Sequence, residues 1–447
     1  MIGAGIFNLP QNMAEVASPL ALIIGWSITG IGILFFAISL LLLSRIRPDL
    51  DGGIYTYAKE GFGELVGFCS AWGYWLCAVI ANVSYLVIVF AAMSFFTDRS
   101  DNIIFGDGNT WQSFIGESTL LWIIHWLVLK GTQTAAGINK LATLAKLIPL
   151  SLFIILAILT FKIDVFKFDF TGIQMGISIW EQVKNTMLIT LWVFIGIEGA
   201  VVVSARAKRR NDIGLATLLA VILALSIYIV VTFLSLGIVP RADFSKMKNP
   251  SMASLMINMI GNYGEIIIAA GLILSVCGAY LSWTIMATEI PYIASLHGLF
   301  PKIFKYQNKN NAPSSSLWVT NSAIQLALIL IWLSGSNYNM LLTIASEMIL
   351  VPYFLVGAFL IKISFKRANK GLLIIGAITN LYGLWLLYAS GTINLLLSII
   401  LYMPGLFIFL YAQSQNNNKK PLSRLERSAI IMIVSSSIPA LWYLLHL

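Results

Sequence analysis

Charge is what this sequence has least of. Asp, Glu, Lys and Arg make up only 11% of its 447 residues, while 58% are hydrophobic; soluble domains carry roughly 25% charged residues. A chain folded around one water-soluble core is excluded. Histidine is nearly missing: His125, His297 and His446 are too scattered to form a metal-binding cluster, and no phosphate-cradling glycine loop or nucleophile elbow occurs. Membrane enzymes of those kinds are therefore excluded, and no cofactor or metal is called for. Cys69, Cys77 and Cys277 all lie in apolar segments without metal-ligand spacing and read as small core residues. The period-two alternation of a membrane barrel is absent, as is any repeated ion-filter sequence. Met1 is followed by neither a charged leader nor a cleavage site, so no signal peptide is expected.

What is present is a series of apolar runs near the length that crosses a hydrocarbon core of about 30 Å as a helix. They fall at 19–43, 65–96, 120–129, 141–161, 187–205, 214–239, 266–296, 317–333, 341–363, 372–389 and 393–412, with a further stretch at 430–447. The fold class is an all-α integral membrane protein of about 12–13 helices. The net charge of +9 does not indicate nucleic acid, because the basic residues sit in short clusters at helix ends. Of 28 Lys and Arg, seven (Arg99, Lys162, Lys167, Lys184, Arg241, Lys246, Lys248) fall on one side, Lys146 in the membrane and the remaining 20 on the other. That asymmetry makes the richer side cytoplasmic. Arg206, Lys208, Arg209 and Arg210 are its strongest anchor.

The stretch Gly3-Ala4-Gly5 interrupts the first apolar segment, where glycine weakens helical order. A broken helix is tolerated at membrane depth only where the freed peptide groups face protein, water or a solute. The segment 1–13 is also too short to span, at roughly 1.5 Å per residue, so half of the first helix is expected to lie upstream. Gly196-Ile197-Glu198-Gly199 is a second interruption, in the sixth segment. Breaks in the first helix of each set of five predict a 5+5 inverted repeat; the alternative is glycines that merely allow close packing. One transport domain is expected over 1–412, with repeats at 1–161 and 184–363 and extra helices at 371–412. A polar cytoplasmic linker at 413–429 and an additional helix at 430–447 follow.

Four charged residues fall within predicted crossings, namely Lys146, Glu198, Glu289 and Glu347. Such residues are costly in lipid and usually mark substrate or ion pathways. His125, flanked by tryptophans, reads as packing.

Several motifs together resemble the amino acid, polyamine and organocation transporter superfamily, and within it the basic amino acid and polyamine antiporters such as the arginine:ornithine exchangers. They are Gly3-Ala4-Gly5-Ile6-Phe7 with Leu9-Pro10, Gly52-Gly53-Ile54-Tyr55, Phe194-Ile195-Gly196-Ile197-Glu198-Gly199-Ala200, Ala287-Thr288-Glu289-Ile290-Pro291 and Gly298-Leu299-Phe300-Pro301. The likeness runs over nearly the whole chain and implies a leucine-transporter-type fold in a bacterial-type plasma membrane. It further implies a substrate held by Gly3, Ala4, Gly5 and Ile6 of the first break and by carbonyls near Trp192 and Ile195 of the second. Ala4 stands where some relatives have serine.

By the same resemblance, Trp192 and Trp283 match aromatic gates, the alternative being an interfacial belt. Asn82 matches a position near the substrate's side chain, the alternative being a helix-to-helix hydrogen bond. Glu347 would face the central cavity and pair with a cationic side chain. Glu198 and Glu289 would couple protons or gate, the alternatives being a buried acid bonded to a carbonyl and an ion pair near the cytoplasmic side. Lys146 would replace a sodium ion, the alternative being a snorkelling lysine. The implied activity is exchange of basic amino acids, with proton-coupled uptake and a non-transporting sensor as alternatives. Beyond the amino acid substrate and the lipid bilayer, protons and a homodimeric assembly stay open.

Overall fold

The structure is a computed structural model that describes residues 2–50, 52–99, 101–131, 133–199, 213–335, 338–415 and 422–445. The expected Arg206, Lys208, Arg209 and Arg210 anchor and His446 lie outside these residues. Among the described residues every long element is an α-helix, and nine helices are long and apolar enough to cross a membrane. The helices are α1 (Gly5–Val16), α2 (Pro19–Ile46), α3 (Ile54–Phe62), α4 (Glu64–Thr97), α5 (Trp111–Leu129), α6 (Gln133–Thr160), α7 (Ile163–Lys167) and α8 (Ile179–Phe194). After them come α9 (Ile213–Ser235), α10 (Ser251–Ile260), α11 (Asn262–Leu296), α12 (Ser314–Ser334), α13 (Tyr338–Arg367), α14 (Lys370–Ser390), α15 (Thr392–Ser414) and α16 (Arg424–Leu445).

Local chemistry at the membrane surfaces sets the ends. Ser178 precedes α8 and accepts a hydrogen bond from the Glu181 N–H at 3.1 Å, satisfying one of the orphan donors of a helix start. Thr110 does the same for α5 through the Ser113 N–H, and Asn369 for α14 through the Leu372 N–H, both at 3.1 Å. Between these caps the helices are apolar on nearly all faces, as the interior of a membrane bundle requires.

The packing repeats under exchange of α1, α2, α4, α5 and α6 with α8, α9, α11, α12 and α13. Helix α4 packs on α13, and its counterpart α11 packs on α6; α2 touches α8 as α9 touches α1. Helices α4 and α11 also cross each other at the centre. Opposite topology of two units with an odd number of crossings produces this pattern. Two short helices absent from the expectation obey it too. Helix α3 packs on α4 and α13, and α10 packs on α11 and α6. Nine or ten residues set among glycines and prolines carry too little periodicity to stand out from a loop.

Both short helices are tied to their neighbours by hydrogen bonds and ion pairs. On the cytoplasmic side Arg47 bonds Asp49 at 2.6 Å and reaches Glu60 of α3 at 3.2 Å, while Lys59 donates to the His297 carbonyl at 2.6 Å. On the outer side the Ser251 N–H of α10 donates to Asn8 Oδ1 at 3.2 Å, and Ser251 Oγ accepts from the Gln11 N–H at 3.3 Å. Helices α14 and α15 brace α13 from outside the repeats.

The outer loop after α4 is organised by Asp98. Burial opposes its ionisation, but the N–H groups of Phe105, Gly106 and Ile104 outweigh that and hold its carboxyl below the ordinary value. A depressed folded value means that the stabilisation is present above pH 3.8 and fades as pH falls through the lower folded value. Acidification below about pH 4 is expected to open the 98–110 loop to protease in the wild type. Asp98→Asn is expected to make that cleavage independent of pH, and unchanged acid sensitivity in the variant would contradict this role.

Candidate functional site

The site lies where the start of α1 faces an interruption after α8. Residues 2 and 3 are non-helical, Ala4 is in a turn and α1 starts at Gly5. Its first N–H groups therefore have no partner within the helix and present the positive end of the dipole to the bundle centre. Pro10 lacks an N–H, so it cannot bond the carbonyl of Ile6 four residues earlier. On the other wall α8 stops at Phe194, and residues 195–198 form turns before Gly199 resumes helical geometry. Gly196 has φ +103°, a conformation that a residue with a side chain adopts only under strain.

A closed cavity lies between them, lined by Gly3, Gly5, Ile6, Ala81, Tyr85, Trp192, Val193, Ile195, Tyr228 and Trp283. Its free volume is about 10 Å³, room for roughly one water. The glycines are needed for that closeness. A Cβ on Gly5 would sit 2.9 Å from Trp192 Nε1, one on Gly3 would sit 2.8 Å from the Tyr85 hydroxyl, and one on Gly196 would sit 3.0 Å from Trp283. Trp192 donates to the Tyr338 hydroxyl at 2.9 Å, and Tyr85 meets Trp283 edge-on at 6.1 Å between centroids. The Val193 carbonyl at the end of α8 accepts from the Tyr228 hydroxyl at 2.9 Å.

Lys146 of α6 reaches into the first break. Its Nζ donates to the Ile2 carbonyl at 2.7 Å, so the ammonium answers a peptide oxygen that lies outside α1. Glu198 sits in the second break, fully buried. Its Oε2 accepts from the Gly196 N–H at 3.3 Å and from the Tyr353 hydroxyl, while among the described residues its Oε1 has no hydrogen-bond partner. Tyr353 in turn stacks on Phe36 with centroids 4.2 Å apart, which links the turn around Glu198 to α2 and α13.

Of the residues expected at the site, Gly3, Gly5, Ile6, Trp192, Ile195 and Trp283 come together around the cavity. Ala4 is buried beside it without forming its wall. Three residues stand elsewhere. Asn82 is buried on α4, donates to its own helix at the Ala78 carbonyl and accepts from Thr284 of α11 at 3.4 Å, the helix-to-helix bond given as the alternative. Glu289 is buried on α11 outside the cavity lining. Glu347 faces outward from the repeats and accepts from Ser398 of α15 at 3.2 Å. Helix α13 is apolar around most of its circumference, so the sequence does not say which side of it meets the cavity. The tyrosines Tyr85, Tyr228, Tyr338 and Tyr353 had no part in the expectation. A tyrosine in an apolar run reads as core until its hydroxyl partner is known.

Two substitutions test this geometry. Gly5→Ala is expected to weaken amino acid binding at least tenfold, about 1.4 kcal/mol, with the protein still reaching the membrane; binding within twofold of wild type would contradict it. Lys146→Met strands the Ile2 carbonyl in an apolar setting, a loss of about 1–3 kcal/mol. Uptake normalised to membrane protein is expected to collapse, and Lys146→Arg to recover part of it.

Comparison with known proteins follows the same lines. A family profile described as "Amino acid permease" matches residues 1–435. The chain is 65% identical over 444 residues to an Escherichia coli (strain K12) protein named "Putative arginine/ornithine antiporter", covering 99% of this chain and 96% of that one. It is 42% identical over 435 residues to the "Arginine/agmatine antiporter" of Chlamydia pneumoniae, covering 94% and 89%. It is 40% identical over 432 residues to the "Arginine/ornithine antiporter" of Pseudomonas aeruginosa, covering 93% and 88%. A profile match over nearly the full length, on a multi-pass helical bundle, places this chain in the amino acid permease family.

Proposed function

We propose that the protein exchanges basic amino acids of the arginine, ornithine or lysine type across the membrane by alternating access. The observation that carries this reading is the cavity between the start of α1 and the interruption after α8. The free N–H groups at Gly5 and Ile6 suit an α-carboxylate, and the Ile195 carbonyl suits an α-ammonium. Trp192 and Trp283 offer π faces to a cationic side chain, each worth about 0.5–2 kcal/mol. The names carried by the relatives support the basic class.

The names of the relatives support exchange over net uptake. The cavity walls bring glycine backbone against indole rings. Lys146 takes the place of a coupling cation, since its charge is fixed to the Ile2 carbonyl. Glu198 joins the turn to Tyr353 and acts in gating. The transporting unit is residues 1–412, with α16 outside it.

Counterflow in proteoliposomes tests the exchange. Labelled arginine is expected to enter only when arginine or ornithine is inside, and equal entry into empty vesicles would contradict it. Lysine, arginine and ornithine are expected to compete at least tenfold better than leucine; equal competition would overturn the cationic assignment. Glu198→Gln is expected to lose transport at high pH and keep it at low pH, where a protonated carboxyl and an amide are alike, whereas equal loss at both would remove protonation from the gating step.

A further inference from the structure

A second hollow opens on the outer side, and the cavity described above shares no residue with it. It holds about 370 Å³ and lies between the outer ends of α1 and α8 and the helices α13 to α15. Its walls carry Asn12, Glu15, Asn339, Thr343, Ser390 and Asn394. The Trp192–Tyr338 hydrogen bond stands between it and the central cavity, one residue from Asn339.

The polar groups here ask for one kind of ligand. Asn12 is 4% exposed and faces the hollow, yet among the described residues its Oδ1 has no donor. The same holds for Asn339 Oδ1 on the opposite wall. Glu347 follows Thr343 by four residues on α13, and Ser398 follows Asn394 by four on α15, so both lie one turn deeper on the same helix faces. Their hydrogen bond closes the floor, and Ser390 and Asn394 stand beside the same carboxylate. Glu15 stands exposed at the mouth, its Oε1 accepting from Gln11 at 2.9 Å. Unfilled acceptors on Asn12 and Asn339 and the Glu15 carboxylate therefore line one hollow, with the Glu347 carboxylate buried beneath its floor. The one cation on the wall, Lys184, is turned to Glu181 at 3.2 Å. A buried acceptor without a donor costs about 1–3 kcal/mol, and a guanidinium or primary ammonium brings only donors.

We propose that this outer hollow is a second binding site, for an alkylguanidinium or alkylammonium cation arriving from outside, with Glu347 as its buried counter-ion and Asn12, Asn339 and Glu15 as further acceptors. It rests on the exchange reading only for the choice of arginine as probe. Glu347 so acquires a role away from the central cavity.

Equilibrium binding of labelled arginine tests it, on the full chain in nanodiscs of phosphatidylglycerol, which carries no headgroup amine to compete. Wild type is expected to bind two equivalents. Glu347→Gln is expected to weaken one of them at least tenfold and leave the other, whereas Gly5→Ala removes the other. Should Glu347→Gln fail to fold, Thr343→Met fills the hollow without touching the carboxylate and is expected to remove the same equivalent. One equivalent in wild type, lost with Gly5→Ala, overturns this site and leaves the exchange reading standing; no binding in wild type overturns both. Two equivalents retained in Glu347→Gln also overturn it.

Discussion

A peptide group inside a membrane must find a partner, and the organisation of this molecule follows from leaving the start of α1 and the end of α8 open where partners are scarce. Each break is answered locally. Lys146 supplies a donor for the Ile2 carbonyl, Tyr228 supplies one for Val193, and the Glu198 carboxylate takes the Gly196 N–H. Two of these contacts come from other helices, α6 and α9, and tie those helices to the site, whereas Glu198 closes its own turn. What the protein leaves unanswered, the first N–H groups of α1 and the carbonyl at the α8 turn, is turned towards the cavity between them.

Symmetry then converts two local faults into a machine. Because α4 packs on α13 as α11 packs on α6, the broken helices sit inside a frame built twice with opposite orientation. The short helices hold opposite faces of that frame. Helix α10 grips α1 through Ser251, Asn8 and Gln11, whereas α3 is held by Arg47 and by the Lys362 contact to the Gly61 carbonyl. Hydrogen bonds thus tie α10 to α1 on one face and α3 to the ends of α2 and α13 on the other. Tyr353 ties the turn at Glu198 to α2, since it touches Glu198 with its hydroxyl and Phe36 with its ring.

The fold class and the interruption at Gly196 were legible because they rest on strong signals, namely long apolar runs and a glycine where the helix must stop. Trp192 and Trp283 were legible through the resemblance alone, as nothing in an isolated tryptophan says which way its ring turns. Glu347 shows the limit. That it is costly in lipid could be read directly, but its direction depends on how α13 meets α15, which no pattern within α13 records. The tyrosines around the cavity and the helices α3 and α10 were hidden for the same reason, since their meaning lies in partners far along the chain: Tyr228 bonds a carbonyl 35 residues away and Tyr338 an indole 146 residues away.

The central claim is that peptide groups exposed by the two breaks hold both ends of an amino acid. The most direct measurement is an experimental structure with arginine bound in a lipid nanodisc. The account expects the α-carboxylate within hydrogen-bond distance of the Gly5 and Ile6 N–H groups and residues 195–198 still unwound beside the α-ammonium. Arginine bound away from those residues, or a regular helix through Gly196 in the loaded state, would contradict it.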